Sequence, residues 1–322
     1  MPIRPRLLAF TVTLSLLFAV SPLNIFGTPK LVDPTRNNSL QGILDRAVAE
    51  TLKDFAAKGV KADNIAASVI DLTDPSKPVY ADFRGNERIY PASVVKMFYM
   101  VALERWLEDG RVTATKEMER ALKDMIVDSG NESTQYIVDV LTGTTSGPEL
   151  PEPEYREWAF KRNAMNRYFE SLGYTNINVN QKTHCEDAWG IEQQFRKYRG
   201  ENRNMLTTKA TAQLLADIAL GKANNSRRTE RMMDLMKRDP MGAIKDAEDQ
   251  NHGFTGIALR KRNLLGVRLY SKAGWTSTSR HDAAYIETPE GLRLVIVIFT
   301  ERFSKEREII PSIAGKVIDA LQ

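Results

Sequence analysis

The sequence predicts an α+β fold in which both chain ends join one antiparallel sheet flanked by helices, while the middle forms an all-α lobe. Two observations predict the sheet: apolar residues recur at strand spacing before residue 85 and again after residue 253. A third predicts the lobe, because between these regions apolar residues recur at steps of three and four, as in amphipathic helices. Since ligands commonly bind where two such units meet, we expect the active site between the lobes.

The composition is ordinary for a globular protein and argues against several function classes. The chain has 322 residues, of which 42% are hydrophobic and 27% charged, so disorder or a fibrous repeat is not expected. The formal net charge is +4 without the basic clustering of a nucleic-acid binder. Cys185 is the single cysteine, and the three histidines lack zinc-ligand spacing. We therefore expect no disulfide, metal, cofactor or nucleic-acid partner.

Residues 1–27 are predicted to be a signal peptide. Arg4 and Arg6 precede an uncharged apolar run over residues 7–20, which is shorter than the about 20 residues that span a bilayer. An uncleaved anchor is the alternative, because the cleavage site is not a clean match. Removing the segment lowers the net charge to about +2. We expect a secreted or periplasmic protein with no stable membrane span after processing.

Residues 28–38 are predicted to be a linker, and residues 39–322 a catalytic domain. Its α/β lobe combines residues 39–92 with 253–322, and residues 93–252 form the helical lobe. The expected helices cover residues 39–58, 94–109, 116–127, 129–141, 156–172, 207–220 and 311–321. The expected strands cover residues 65–72, 79–84, 265–271, 281–287 and 292–300. Residues 142–155 and 176–204 are expected to be largely irregular, and the methionines of residues 232–236 to be core.

Ser93 and Lys96 are the first candidates for chemistry. They lie three residues apart at a predicted helix start, which places a hydroxyl and an amine on one helix face. An amine among apolar neighbours can have a lowered pKa and act as a base, and the helix N-terminus stabilises a developing oxyanion. An N-capping serine beside a surface lysine is the alternative, although this is the only Ser-x-x-Lys in the chain.

Two further motifs follow in chain order. Ser129 and Asn131 flank Gly130 in a loop between helices, where a hydroxyl can relay a proton and a carboxamide can hold an amide. Lys272 ends a predicted strand and precedes Ala273 and Gly274. A lysine there can bind a carboxylate, and glycine lets a substrate approach the strand. Taken locally, Ser129 can equally be a helix cap and Lys272 an ordinary strand end.

The three motifs together resemble the serine β-lactamase and penicillin-binding-protein superfamily, whose signatures are S-x-x-K, S-x-N and K-[ST]-G. The resemblance covers about residues 39–321, and Arg280-His281-Asp282 after the third motif is most similar to class A β-lactamases. Gly200-Glu201-Asn202-Arg203 is similar to the exit of the class A Ω-loop. The implied fold is β-lactamase/transpeptidase-like, with its active site between the lobes.

The resemblance also implies the role of each site residue. Ser93 would be acylated, Lys96 would accept its proton, and Ser129 would pass a proton to the leaving nitrogen. Asn131 would hold the substrate amide, and Lys272 with Thr276 would meet the substrate carboxylate. The backbone N–H groups of Ser93 and Trp275 would form the oxyanion hole.

Three departures limit the resemblance. The stretch between Ser93 and Ser129 is short, and Ala273 stands where Thr or Ser is expected. The E-x-x-L-N element, whose Glu activates the deacylating water, has no clean counterpart. Glu192 is the candidate nearest in spacing, and Glu186 is the other; either can equally be a solvated loop acid. The resemblance therefore implies formation of an acyl-enzyme more strongly than its hydrolysis.

The leading interpretation is a class A-like β-lactamase that hydrolyses a β-lactam amide. The alternative within the superfamily is a D-alanyl-D-alanine carboxypeptidase or a related penicillin-binding peptidoglycan hydrolase. A third interpretation is a secreted, non-catalytic binding domain with a decayed site. The expected ligand is accordingly a small β-lactam or a peptidoglycan stem peptide, and the expected oligomeric state is a monomer.

Overall fold

The computed structural model describes residues 31–184 and 188–322. The predicted signal peptide lies outside the described residues. The described chain contains a seven-stranded sheet in the order β1-β3-β2-β7-β6-β5-β4. Its strands are β1 Thr35–Arg36, β2 Ile65–Asp71, β3 Val79–Phe83, β4 Lys237–Arg238, β5 Arg268–Trp275, β6 Ser279–Glu287 and β7 Arg293–Glu301.

The two ends of the chain meet in the middle of this sheet, as predicted. Strand β2 pairs antiparallel with β7, with Ile65 opposite Thr300 and Asp71 opposite Leu294. Strands β5, β6 and β7 form consecutive antiparallel pairs. Only β1, which runs parallel to β3, departs from the antiparallel arrangement of the described strands. The α+β fold class is confirmed.

The sheet separates two hydrophobic cores. Side chains of strand β2 point alternately into the two cores. Ala67 and Val69 face one core, and Ala66 and Ile70 face the other. This alternation follows from the period of two along a strand. Because both faces are covered, every residue from Leu294 to Thr300 in the central strand β7 is buried.

Helices of both termini cover one face of the sheet. Helix α1 (Asn38–Asp54) presents Leu40, Leu44 and Val48 to that core and is capped by Asn37, whose Oδ1 accepts a hydrogen bond from the Leu40 N–H at 2.9 Å. The C-terminal helix is α11 (Ile309–Leu321). It packs beside α1, and the shorter α10 (Thr255–Lys261) packs against it.

The other face carries the helical lobe. Helix α2 (Val95–Glu108) is buried on nearly every side between Val95 and Glu104, and this environment is what places Lys96 in the interior. The other helices of this lobe are α3 Lys116–Lys123, α4 Asn131–Thr142, α5 Glu154–Arg162, α6 Ala164–Ser171, α7 Gly190–Arg196, α8 Thr208–Ala219 and α9 Ser226–Met236. Met232 and Met236 of α9 are buried, as expected for core methionines.

The structure differs from the predicted elements in short segments. The single helix expected over residues 156–172 is two helices, divided at Asn163, whose side chain donates to the Ala159 carbonyl at 2.8 Å. Helix α7 lies within the stretch expected to be irregular. Thr35 and Arg36, within the predicted linker, pair with β3. Such brief elements depend on tertiary contacts rather than on periodicity. None of the described helices is long and apolar enough to cross a bilayer.

Candidate active site

Ser93 lies in a tight turn that leads into helix α2. A single 3-10 turn, Ala92–Val94, precedes the helix, and Ala92 has a φ of 47°, a left-handed conformation that is uncommon for residues with a Cβ. The approach to this turn is held by His281, whose Nδ1 accepts the Thr300 N–H at 3.1 Å. The other ring nitrogen, Nε2, therefore carries the proton and donates to the Tyr90 carbonyl at 2.9 Å.

Lys96 follows Ser93 by one turn and is fully buried. Its Nζ donates hydrogen bonds to Asn131 Oδ1 at 2.8 Å and to the Ser129 carbonyl at 2.5 Å, and it lies 3.4 Å from Ser129 Oγ. The first two sequence motifs are therefore in direct contact. Asn131 opens helix α4, and its side chain orients the lysine.

Ser129 joins the first motif to the third. A single turn of π-helix, Asp124–Asp128, ends at Ser129, which has φ 60° and ψ 32°. This left-handed conformation turns the chain sharply before α4. The Ser129 hydroxyl accepts a hydrogen bond from Lys272 Nζ at 3.0 Å. A hydroxyl between two lysine amines is well placed to relay a proton.

Gly274 brings strand β5 against the start of α2. A Cβ at this position would lie 2.7 Å from the Ser93 nitrogen, 2.7 Å from the Pro91 carbonyl oxygen and 2.9 Å from the Val94 nitrogen. All three are backbone atoms, so any larger residue would displace the turn that carries Ser93. The third motif therefore contacts the first as well as the second.

Five of the predicted site residues, Ser93, Ser129, Asn131, Gly274 and Trp275, line one cleft of about 650 Å³. Lys96 and Lys272 are buried beside it and contact Ser129. The Trp275 side chain is half exposed at the edge of the cleft. The structure thus brings together seven of the sequence-predicted site residues: Ser93, Lys96, Ser129, Asn131, Lys272, Gly274 and Trp275.

The sequence profile of the beta-lactamase enzyme family matches residues 47–321. The chain belongs to this family. No curated protein matches the chain. The fold is similar to that of a beta-lactamase from Sphaerobacter thermophilus, with 19% identity, a TM-score of 0.60, and coverage of 85% of this chain and 97% of that one.

Two further solved structures have a similar fold. The first is PBP-A, with 17% identity, a TM-score of 0.60, and coverage of 90% of this chain and 98% of that chain. The second is the TLA-3 extended-spectrum beta-lactamase, with 15% identity, a TM-score of 0.62, and coverage of 87% and 99% respectively. With the family match over residues 47–321, the predicted membership in the serine β-lactamase and penicillin-binding-protein superfamily is confirmed.

The end of the cleft around Lys272 is rich in buried charge. Burial lowers the pKa of Lys272 well below its usual value, and the neighbouring Lys96 and Arg238 lower it further, while Asp282 acts in the opposite direction. Arg238 on the edge strand β4 donates to the carbonyls of Ser271 and Ile126. Burial raises the pKa of Asp282. Two basic side chains, Lys272 and Arg238, and the acid Asp282 thus interact with one another at the third motif.

Thr276 lies apart from Lys272. Its hydroxyl oxygen accepts the backbone N–H groups of Thr278 at 3.2 Å and Ser279 at 3.1 Å, and so closes the turn between β5 and β6. It lines a neighbouring cavity with Arg280 and Arg307. These contacts show Thr276 acting in the turn, and its contact with a substrate carboxylate stays a prediction.

Glu192 on α7 is not among the residues that line the cleft. Arg162 donates to both of its oxygens, at 2.7 and 2.8 Å, and Ser146 donates at 2.8 Å. Lys182 Nζ lies 3.4 Å away and also pairs with Asp139 at 2.7 Å. Burial alone would raise the pKa of Glu192, but the hydrogen bonds and charges of Arg162 and Lys182 outweigh burial and lower it. The structure therefore places Glu192 in a buried ion cluster.

The segment that resembles the Ω-loop exit is held by carboxamides. Asn204 Oδ1 accepts the backbone N–H groups of Asn180 and Gln181, and its Nδ2 donates to the Gln181 carbonyl at 2.9 Å. Tyr99 of helix α2 donates to the same carbonyl at 2.6 Å. Tyr99 therefore connects the contact between Gln181 and Asn204 directly to helix α2, which carries Lys96. Glu186, the other candidate base, lies outside the described residues.

Sequence reasoning missed three residues that shape the site: His281 as a support for the Ser93 turn, Arg238, and Gln250. Burial lowers the pKa of His281 to about 4, so the ring is neutral near pH 7. No spacing rule connects these residues to the motifs, because they approach from other strands and from a loop. The described part of the chain has no cluster of His, Cys, Asp or Glu that could hold a metal ion.

Proposed function

We propose that this protein is a serine hydrolase that opens a β-lactam amide through an acyl-serine intermediate, as a class A-like β-lactamase does. The observation that carries the proposal is the Ser129 hydroxyl, which lies between Lys272 Nζ at 3.0 Å and Lys96 Nζ at 3.4 Å within the cleft that Ser93 lines. Membership in the beta-lactamase enzyme family supports it.

Acylation begins with attack of Ser93 Oγ on the amide carbonyl carbon. Lys96, in its neutral form, accepts the hydroxyl proton, and a new C–O bond forms as the carbonyl oxygen becomes an oxyanion. Backbone N–H groups of Ser93 and Trp275 stabilise this oxyanion, as preorganised donors in an enclosed site do most effectively. The pairing of Lys96 with Asn131 Oδ1 at 2.8 Å fixes the position of the amine beside Ser129.

Collapse of this intermediate breaks the C–N bond. Ser129 donates its proton to the leaving nitrogen and recovers a proton from Lys96, so that Lys96 returns to the neutral form. Lys272 contacts Ser129 from the other side and stabilises the negative charge that develops on its oxygen. The product is an ester between Ser93 and the opened substrate.

Hydrolysis of this ester requires a base that activates water. The Glu192 carboxylate is engaged by Arg162 at both oxygens, which opposes that role. This observation favours the second candidate function, a D-alanyl-D-alanine carboxypeptidase or another penicillin-binding peptidoglycan hydrolase whose penicillin acyl-enzyme turns over slowly. Glu186 stays a sequence prediction for the base.

Penicillin G is the first probe to use. A solved structure of a PBP-A mutant, similar in fold to this chain with 17% identity and a TM-score of 0.60, is described as its acyl-enzyme complex with penicillin G. That description concerns the PBP-A mutant; for this chain it supports a small β-lactam as ligand.

Intact-protein mass spectrometry with penicillin G over time tests the proposal. We expect addition of one penicillin mass, mapped to the peptide that contains Ser93 and absent from Ser93→Ala. Ser76→Ala, which removes an exposed serine in the turn between β2 and β3, is the matched control and should label normally. Rapid loss of the adduct indicates a β-lactamase, and a persistent adduct indicates a penicillin-binding protein. No adduct in folded protein would support the non-catalytic binding domain and contradict the proposal.

We also propose export of the protein to the periplasm or the exterior, through residues 1–27. The support is the sequence alone: Arg4 and Arg6 before an uncharged apolar run. N-terminal sequencing of the protein recovered from the cell envelope should begin near residue 28. A chain that retains Met1 and sediments with membranes would indicate the uncleaved anchor instead.

A further inference from the structure

The Gln250 side chain lies directly on Lys272. It comes from the loop between β4 and α10. Its Oε1 accepts hydrogen bonds from Lys272 Nζ at 2.8 Å and from the Ala273 N–H at 3.0 Å. Its Nε2 donates to the carbonyls of Ile126 at 3.0 Å and Val127 at 2.9 Å. Both ends of the carboxamide are therefore bonded, and the side chain joins strand β5 to the π-helical turn that precedes Ser129.

Lys272 has three acceptors around its amine. An ammonium group has three N–H donors, and these contact Ser129 Oγ at 3.0 Å, Gln250 Oε1 at 2.8 Å and the Ala273 carbonyl at 2.9 Å. The Ala273 carbonyl belongs to the strand, and the Ser129 hydroxyl belongs to the proposed proton relay. An incoming substrate oxygen must therefore take the place of Gln250, the acceptor on a loop side chain.

The charge at this position favours an anion over a neutral carboxamide. Lys272 and Arg238 are buried there beside the buried acid Asp282. The Arg238 Nε has no hydrogen-bond acceptor among the described residues. A carboxylate adds an attraction between opposite charges to its hydrogen bond with a cation, and a neutral carboxamide lacks this attraction. An anionic group therefore competes favourably with Gln250.

The other acids that line the cleft do not cancel this charge. Glu248 pairs with Arg280 at 2.8 Å, and Asp249 accepts from His252 at 3.0 Å. Asp128 and Asp246 are exposed, so water and salt screen them.

We propose that Gln250 is a specificity-determining residue, whose carboxamide occupies the substrate-anion position on Lys272 until a substrate carboxylate displaces it. This inference rests on the proposed function of the cleft. A β-lactam with a free carboxylate exchanges a neutral acceptor on Lys272 for a charged one. A β-lactam whose carboxylate is esterified gains no charged contact by displacing Gln250, so it leaves the carboxamide in place. Gln250 therefore competes mainly with acidic substrates and reduces the difference in rate between acidic and neutral substrates.

The test compares penicillin G with its methyl ester on wild type, Gln250→Ala and Gln250→Glu. We expect Gln250→Ala to accelerate acylation by the acid about tenfold, since it removes a competing hydrogen bond to a charged group, and to change the ester reaction much less. We expect Gln250→Glu to slow the acid at least about tenfold, because a second carboxylate then occupies Lys272. Equal factors for acid and ester in Gln250→Ala would overturn the inference.

Asn251→Ala is the matched control for loosening of the loop. Asn251 Oδ1 accepts the Asp239 N–H at 3.0 Å within the same loop. We expect this variant to change the acid and ester reactions by one common factor. A selective gain for the acid in this variant would assign the effect to the loop and overturn the inference.

Equilibrium binding separates the inference from the proposed function. With Ser93→Ala as background, calorimetry measures the affinity for penicillin G and its ester with and without Gln250→Ala. A selective gain for the acid supports the inference even where wild type forms no adduct, a result that contradicts only the proposed function. Equal affinities for acid and ester in both backgrounds would overturn the inference.

Discussion

At the scale of single residues, Gly274 shows how closely strand β5 packs against the turn that carries Ser93. We expect Gly274→Ala to reduce the rate of acylation by penicillin at least about tenfold, because its Cβ would lie 2.7 Å from the Ser93 nitrogen and a misplaced nucleophile loses rate steeply. Overpacking should also lower the free energy of unfolding by about 1–3 kcal/mol. Adduct formation and urea unfolding measure the two effects.

Gly42 provides the comparison. It is an exposed residue of α1, and a Cβ at this position would meet no atom within 4 Å. Gly42→Ala should therefore raise the free energy of unfolding by up to about 1 kcal/mol through helix propensity. It should leave acylation unchanged. Normal labelling of Gly274→Ala would contradict the requirement for a glycine at the site.

The proposed reacting residues could be named from the sequence, whereas the side chains that surround them could not. Ser93, Lys96, Ser129 and Lys272 follow from residue type and local context, because a serine three residues before a lysine on a helix is a local pattern. Gln250 has no such pattern. Its role arises from a loop that brings it onto Lys272, a contact made across 22 residues of sequence.

At the scale of elements, the buried ion cluster connects α4, α5 and α7 to the segment around Lys182. Arg162 of α5 is fully buried and pairs with Glu192 of α7, while Lys182 pairs with Asp139 of α4. We expect Glu192→Gln to lower the free energy of unfolding by about 3 kcal/mol, since it leaves a buried arginine without its main counter-charge. Urea unfolding measures this.

The same variant tests the catalytic alternative. If Glu192 were the deacylating base, Glu192→Gln would retain stability and accumulate the acyl-enzyme, which mass spectrometry detects. Glu201→Gln is the matched control, because Glu201 follows α7 closely in the chain and its side chain is 74% exposed. We expect little change in its stability, as for most surface ion pairs.

Elements long enough to show a regular apolar spacing were predicted. Elements that depend on pairing with a neighbouring strand were not. Helix α1 and strands β2 and β7 follow from apolar spacing. The edge strands β1 and β4 have two residues each, too few to show any period. They exist because β3 and β5 offer unpaired backbone groups at the edges of the sheet.

At the scale of the whole molecule, Asp217 of α8 joins distant parts of the chain. It accepts the Val32 N–H at 2.6 Å and the Tyr174 hydroxyl. Burial raises the pKa of Asp217 to about 6, against the opposing effect of these hydrogen bonds. An acid whose pKa is raised by folding contributes stability below its unfolded pKa, and this contribution is lost as the pH rises through the folded value.

The predicted consequence is a pH-dependent effect of Asp217→Asn. The free energy of unfolding of the variant, minus that of wild type, should increase by about 2–3 kcal/mol between pH 4 and pH 8, because only wild type must ionise a buried acid. Urea unfolding of both proteins at the two pH values measures it. A difference that stays constant across this range would contradict ionisation of Asp217 near pH 6.

The sequence by itself determined the α+β class, the meeting of the chain ends in one sheet, and the order of three chemical motifs, because each depends on local periodicity or residue type. Only the tertiary structure decided that Ser129 lies between Lys96 and Lys272 and that Glu192 pairs with Arg162. It also decided that Gln250 covers Lys272. These are contacts between side chains far apart in sequence, and packing of the two lobes determines them.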